Sequence, residues 1–89
     1  MCTYIVESAE VTGSATGREG WFGLAQANVS YDHPFHIDLE HAIGIDFVDS
    51  SAGLDNRVAV ELTLESARAL AGAILAAVDR AEAYEGALV

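Results

Sequence analysis

The sequence predicts an α+β domain: a four-stranded antiparallel sheet followed by one C-terminal helix packed on one face, a two-layer ββββα arrangement. Four segments alternate apolar and polar side chains with the period of two that is typical of strands. Clusters of glycine, serine and aspartate separate several of these segments. Near the C-terminus, apolar residues recur at three- and four-residue steps, as on an amphipathic helix.

The first two strands are expected over residues 2–11 and 21–31. Between them lies "TGSATGREG", residues 12–20, which has three glycines within nine residues and predicts a hairpin loop. The second strand stops just before Pro34, which has no N–H group to donate to a neighbouring strand. These segments therefore predict a β-hairpin with a long loop.

Two more strands are expected over residues 42–48 and 57–64, separated by the turn-forming stretch "DSSAGLDN". In the fourth strand the apolar residues share one face, namely Val58, Val60, Leu62 and Leu64. Asp46 lies within the otherwise apolar third strand. Its carboxylate needs a partner there, and Arg57 or one of the histidines is the candidate.

The helix is expected to begin after Thr63, with Glu65 in the first turn, where the helix dipole favours an acid, and to stop at Gly86. One side carries an apolar stripe of Ala67, Leu70, Ala71, Ile74, Leu75 and Val78. The other side is mostly small, with Ala69, Gly72, Ala73, Ala76 and Ala83. Small residues let another backbone approach closely. Alanine is also simply a good helix former, so this side needs no partner on that ground alone.

The length of 89 residues predicts a single domain over 1–89, near the lower limit of what one core stabilises unaided. No disulfide can help, because Cys2 is the only cysteine. Support from a metal or from a partner subunit is therefore expected. We predict a homodimer that forms through the alanine-rich helix face or a sheet edge.

The charge narrows the range of partners. Fourteen acidic residues face four arginines and no lysine, a net charge of −10. This charge disfavours nucleic acid and anionic membrane surfaces, and the missing lysine excludes Schiff-base catalysis. No apolar run approaches the ~18 residues of a membrane helix. The first residues, "MCTYIVESAE", lack the basic flank and apolar core of a signal peptide, so a cytoplasmic location is expected.

The candidate site is the stretch "YDHPFHIDLEH", residues 31–41, which contains all three histidines of the chain. Neutral imidazole is the commonest protein ligand for zinc, copper, iron and nickel, so a divalent transition metal is the first hypothesis. The predicted metal ligands are His33, His41, His36 and Asp32. His33 and His41 rank first because each directly follows an acid.

Three further residues, Asp46, Glu40 and Cys2, are candidates for catalytic roles. Asp46 or Glu40 could act as a metal ligand or as a base. Cys2 could act as a thiolate ligand or as a nucleophile, because a nearby imidazolium lowers the pKa of a thiol. Cys2 would lie near His33 if the first strand lies beside the strand that ends at Tyr31. Two alternatives to metal binding stay open. One is a metal-free module that binds a small molecule or does acid–base catalysis. The other is a non-enzymatic, dimeric interaction or accessory protein in which the histidine segment is a polar loop.

Five stretches, "CTYIVESAEVTGS", "GWF", "YDHPFH", "EHAIGIDFV" and "RVAVELTLESARALAGAI", resemble a family of small acidic bacterial proteins known as a domain of unknown function. The resemblance spans nearly the whole chain, and D-H-P followed by E-H-A and I-D-F is its most distinctive part. It implies no reaction. It implies that a set of residues belongs to the family pattern, namely Asp32, His33, Pro34, Glu40, His41, Asp46 and Phe47.

Overall fold

The computed structural model describes residues 5–18, 20–49 and 57–88. Four strands form one antiparallel sheet in the order β1-β2-β3-β4, and one helix follows them. The elements are β1 (Ile5–Gly17), β2 (Gly20–Asp32), β3 (Ala42–Val48), β4 (Arg57–Leu62) and α1 (Leu64–Ala87). This architecture confirms the predicted α+β class with four antiparallel strands and a C-terminal helix.

The first hairpin is longer than the sequence predicts. β1 continues through most of the expected loop and ends at Gly17, which pairs with Gly20. The prediction of a loop over residues 12–20 was wrong because pairing with β2 overrides the weak strand propensity of glycine. Gly20 has a φ of 111°, a left-handed conformation that glycine adopts without a steric penalty. A register shift between Glu10 and Gly13 marks a β-bulge in β1.

The sheet has one apolar and one polar face, because residues opposite one another on neighbouring strands point to the same side. Tyr31 lies opposite Ile43, and Ile43 lies opposite Leu62. The register assigns to this face one charged residue, Glu7, together with Ile5, Ala9, Ala27, Val29, Tyr31, Ile43, Ile45, Phe47, Val58, Val60 and Leu62. On the opposite, polar face Asn28 Oδ1 accepts hydrogen bonds from Ser8 and Gln26, each at 2.7 Å.

The helix begins where the sequence predicts. Thr63 is its N-cap, in an extended conformation, and the Thr63 hydroxyl oxygen accepts a hydrogen bond from the Ser66 N–H at 3.0 Å. At the other end the Leu88 N–H donates to the Glu85 carbonyl at 3.1 Å. The helix ends at Ala87, one residue beyond Gly86, the predicted stop.

The apolar stripe of α1 is covered far less than expected. The helix approaches only β3 and β4, and none of its residues is buried. Leu70, Ile74, Leu75 and Val78 are between 42% and 65% exposed. One residue, Thr63, joins β4 to α1, so this short connection holds the helix against the sheet near its start only. The second layer is therefore open along most of its length.

The whole chain has more surface than a compact domain of its size. Its accessible surface is 7021 Å², against about 5,000 Å² for a typical folded monomer of 9.4 kDa. Its radius of gyration is 15.2 Å, against about 12 Å for a compact domain of this length. Within the part of the chain that the structure describes, only Ala27 and Ala42 are buried.

Candidate functional site

The histidine segment is the irregular connection between β2 and β3, residues 33–41. Asp32, the last residue of β2, pairs with Ala42, the first residue of β3. Both ends of the connection are therefore held at the same point of the sheet. This pairing places His33 and His41 side by side, with ring centroids 5.4 Å apart and ring planes inclined by 19°.

Three rings form a small cluster at this end of the sheet. The His41 ring contacts those of both His33 and Tyr31, and its centroid is 5.2 Å from that of Tyr31. His33 Nδ1 lies 2.5 Å from the carbonyl oxygen of Glu40. Because a carbonyl only accepts, Nδ1 carries a proton, and the lone pair of a neutral His33 ring is on Nε2. Tyr31 and His41 are half-buried, while His33 is exposed.

The two imidazoles are close enough to share a ligand, but their orientation is not that of a formed metal site. An imidazole binds a metal through a lone pair in its own ring plane, at about 2.0–2.1 Å for zinc. The stacked planes of His33 and His41 do not direct two such lone pairs to one point. A shared ion therefore requires one ring to rotate. In the ranges 5–18, 20–49 and 57–88, no group of three or more His, Cys, Asp or Glu is placed to hold a metal ion.

The other predicted residues of this segment serve the loop itself. Asp32 Oδ1 accepts a hydrogen bond from the His33 N–H at 2.7 Å. Glu40 contributes its carbonyl oxygen to His33, and His36 contributes its backbone N–H to Glu61 on β4. Of the four predicted ligands, the structure brings together the rings of His33 and His41, next to Asp32.

Asp46 lies away from the histidines, on the polar face of β3. Its two carboxylate oxygens accept from Arg57, with Nε–Oδ1 at 3.0 Å and Nη2–Oδ2 at 2.6 Å. Of the candidates that the sequence offered, Arg57 or a histidine, the structure selects Arg57. Asp46 is four residues beyond Ala42, a distance of about 13 Å along a strand. Its carboxylate thus belongs to an ion pair between two strands and does not face the histidine rings.

Cys2 lies outside the described residues. Its expected proximity to His33 depended on strand one lying beside the strand that ends near Tyr31. That pairing is confirmed, because Ile5 of β1 lies opposite Tyr31 of β2. The role of Cys2 as a ligand or nucleophile stays a prediction.

Glu61 is the residue that sequence reasoning missed. Its carboxylate accepts hydrogen bonds from three successive backbone N–H groups, those of Phe35 at 2.5 Å, His36 at 2.9 Å and Ile37 at 3.1 Å. These hydrogen bonds stabilise the ionised carboxylate and hold the pKa of Glu61 below its usual 4.5. The bond from Phe35 contributes most to this lowering, and the bond from Ile37 contributes the next largest part. The only signal in the sequence is an acid inside an apolar strand, which the polar face of a sheet explains equally well.

Glu61 gives the connection a third attachment point besides its two ends. Residues 35–37 are fixed to β4, so the segment crosses from β2 to β3 while it is tied to the strand beyond. Its outer surface exposes Phe35 by 85% and Leu39 by 45%. The connection is therefore anchored at three points. It carries the adjacent imidazoles of His33 and His41 and exposes the apolar side chains of Phe35 and Leu39.

The fold and this connection define a small α+β domain with an open four-stranded sheet, one largely uncovered helix and a histidine-containing β2–β3 connection. The chain belongs to a family of unknown function, DUF6295, whose family model matches residues 1–87. This match confirms the resemblance to a domain of unknown function. Neither a curated protein nor a solved structure matches the chain. No helix within the described ranges has the length and apolarity to cross a membrane.

Proposed function

We propose that this protein is a small cytosolic, non-enzymatic interaction module that works as a homodimer. One observation supports the proposal most: the chain exposes about 2,000 Å² more surface than a compact monomer of its mass. Two such chains that cover this excess would bury about 4,000 Å², which is within the range of obligate homodimers. The excess includes large apolar side chains of both the helix and the sheet, such as Ile74 and Val60.

Charge decides what drives such an association. Each chain carries a net charge of −10, so two copies repel one another at long range. Apolar burial must therefore drive the association, and salt should strengthen it by screening the repulsion. An interface made of ion pairs between subunits would weaken in salt instead.

The test is the mass of the purified chain in solution. We expect light scattering at micromolar concentration to give twice the 9.4 kDa chain mass, with a dimer that persists or tightens as salt is raised. A monomer at every concentration and salt level would contradict the proposal.

A second candidate function is binding of a divalent transition metal or another small ligand by His33 and His41. The observation that favours it is their adjacency, with ring centroids 5.4 Å apart at an exposed end of the sheet. Rotation of one ring would supply two imidazole ligands, with Asp32 or Cys2 as a candidate third. Zinc, copper, iron and nickel all accept imidazole.

Metal content per chain tests this candidate, on protein prepared without a histidine tag. Stoichiometric metal in the parent, lost in His33→Ala and in His41→Ala, would support it. Occupancy should also fall as the pH drops through the imidazole range near ~6.5, because a protonated ring cannot bind a metal. Negligible metal in all three proteins would exclude a metal site at these residues. A melting shift with a small molecule that needs both histidines would then support metal-free binding.

A further inference from the structure

We propose that the dimer forms by reciprocal helix packing, in which α1 of each copy lies on the apolar face of the other. This inference rests on the proposed function and names the surfaces that meet. Two surfaces support it. One is the groove between the sheet and the helix, and the other is the part of the apolar stripe that remains exposed beyond this groove.

The groove lies between the apolar face of the sheet and the first three turns of α1. It has a volume of about 650 Å³, and its walls include Val29 and Ile43 on the sheet and Leu64, Ala71 and Leu75 on the helix. A second hollow of about 340 Å³ shares Val29, Ile43 and Leu64 with it and extends to Ile5 on β1. The two hollows form one continuous, mostly apolar surface from the helix to the edge strand, with Glu7 and Ser30 as the polar residues of the second hollow.

The exposed part of the apolar stripe on α1 is the surface that would pack into this groove. Beyond the groove, Ile74 and Val78 of the stripe remain 54% and 46% exposed. Every copy therefore carries both an open apolar groove and an uncovered apolar helix. A two-fold axis satisfies both at once, since the helix of the first copy enters the groove of the second and the reverse holds too.

A second copy explains more of the exposed surface than a small ligand does. A ligand in the groove would leave Ile74 and Val78 uncovered, because neither lines it. Glu65 and Arg68 at the groove have opposite signs, and Glu7 lines the second hollow, so the combined surface carries one net negative charge and does not favour an anion. The excess of about 2,000 Å² per chain also exceeds what a drug-sized molecule covers.

Disulfide trapping between single-cysteine chains tests the arrangement. All chains carry Cys2→Ser, so each has one thiol and any disulfide joins two chains. A tagged Val60→Cys chain, with its cysteine on the apolar face of β4, is unfolded together with an untagged Val78→Cys chain. The mixture is then refolded and oxidised with glutathione disulfide. The matched control replaces Val60→Cys with Ala59→Cys, an exposed neighbour on the same strand that points to the opposite face.

We expect a covalent heterodimer from the Val60 and Val78 pair and the loss of that band in the Ala59 control. Disulfide formation requires the two Cβ atoms to come within about 4.5 Å, which only direct packing allows. If the parent is dimeric by light scattering but the Val60 and Ala59 mixtures give equal bands, reciprocal helix packing is wrong. The proposal of a dimer then stands. A monomeric parent would overturn the proposed function itself. A monomer that carries an apolar molecule in the groove would overturn both.

Discussion

Replacing Ile74 with glutamate should dissociate the proposed homodimer, and the magnitude follows from the exposure of Ile74. Complete burial of an isoleucine contributes ~1.5–3 kcal/mol, so covering the exposed 54% of Ile74 contributes about 1 kcal/mol per copy. A two-fold interface contains this residue twice. A glutamate there would also bury an unpaired carboxylate, which costs several kcal/mol. A total of at least ~4 kcal/mol would raise the dimer dissociation constant by about a factor of 10³.

The assay is light scattering over a concentration series of the parent and of Ile74→Glu, with far-ultraviolet circular dichroism to compare their helix content. The matched control is Ala76→Glu. It places the same charge on the same helix, but on the alanine-rich side opposite the stripe, where the residue is exposed. We expect Ile74→Glu to be monomeric at concentrations where the parent and Ala76→Glu remain dimeric.

An Ile74→Glu variant that is as dimeric as the parent would show that Ile74 is not buried between two copies. If Ala76→Glu alone dissociated, the interface would be the alanine-rich face, one of the two interfaces that the sequence predicts. That outcome would also contradict reciprocal helix packing through the apolar stripe.

Two further variants test the connection and the helix start. Hydrogen bonds lower the pKa of Glu61 in the folded protein, so its ionised carboxylate contributes stability that is complete above the unfolded-state pKa, ordinarily 4.5. That contribution is lost as the pH falls through the lower folded-state pKa, so the difference in Tm between the parent and Glu61→Gln should shrink as the pH falls below 4.5. A difference that is constant from neutral to acidic pH would contradict this role. Thr63→Ala removes the hydroxyl that accepts from Ser66 and should reduce the free energy of unfolding by about 1 kcal/mol in urea, while Thr63→Ser should keep most of it. Equal losses in the two Thr63 variants would show that the hydroxyl does not cap the helix.

Local features were readable from the sequence alone. The third strand has the predicted bounds of 42–48, and Thr63 caps the helix, because alternation and capping depend on neighbouring residues. The sequence also predicted a partner for Asp46, although the carboxylate proves to lie on the polar face of the sheet, where its side chain is 31% exposed. Arg57, on the neighbouring strand β4, is that partner.

Only the tertiary structure placed Glu61 against the N–H groups of Phe35, His36 and Ile37, because that contact joins residues some 25 positions apart in the chain. The adjacency of the His33 and His41 rings likewise depends on the pairing of Asp32 with Ala42, and histidine spacing does not encode it.

The same division holds for the helix. The recurrence of apolar residues at three- and four-residue steps by itself determined that one side of α1 is apolar and favours contact with another apolar surface. The tertiary structure decided that the chain's own sheet covers little of it, because the one-residue connection at Thr63 fixes where the helix leaves the sheet. Hydrophobic burial has no direction and does not distinguish one chain from another. The sequence therefore determines how much of the helix surface is apolar, and the path of the backbone decides how much of that surface the chain's own sheet leaves exposed.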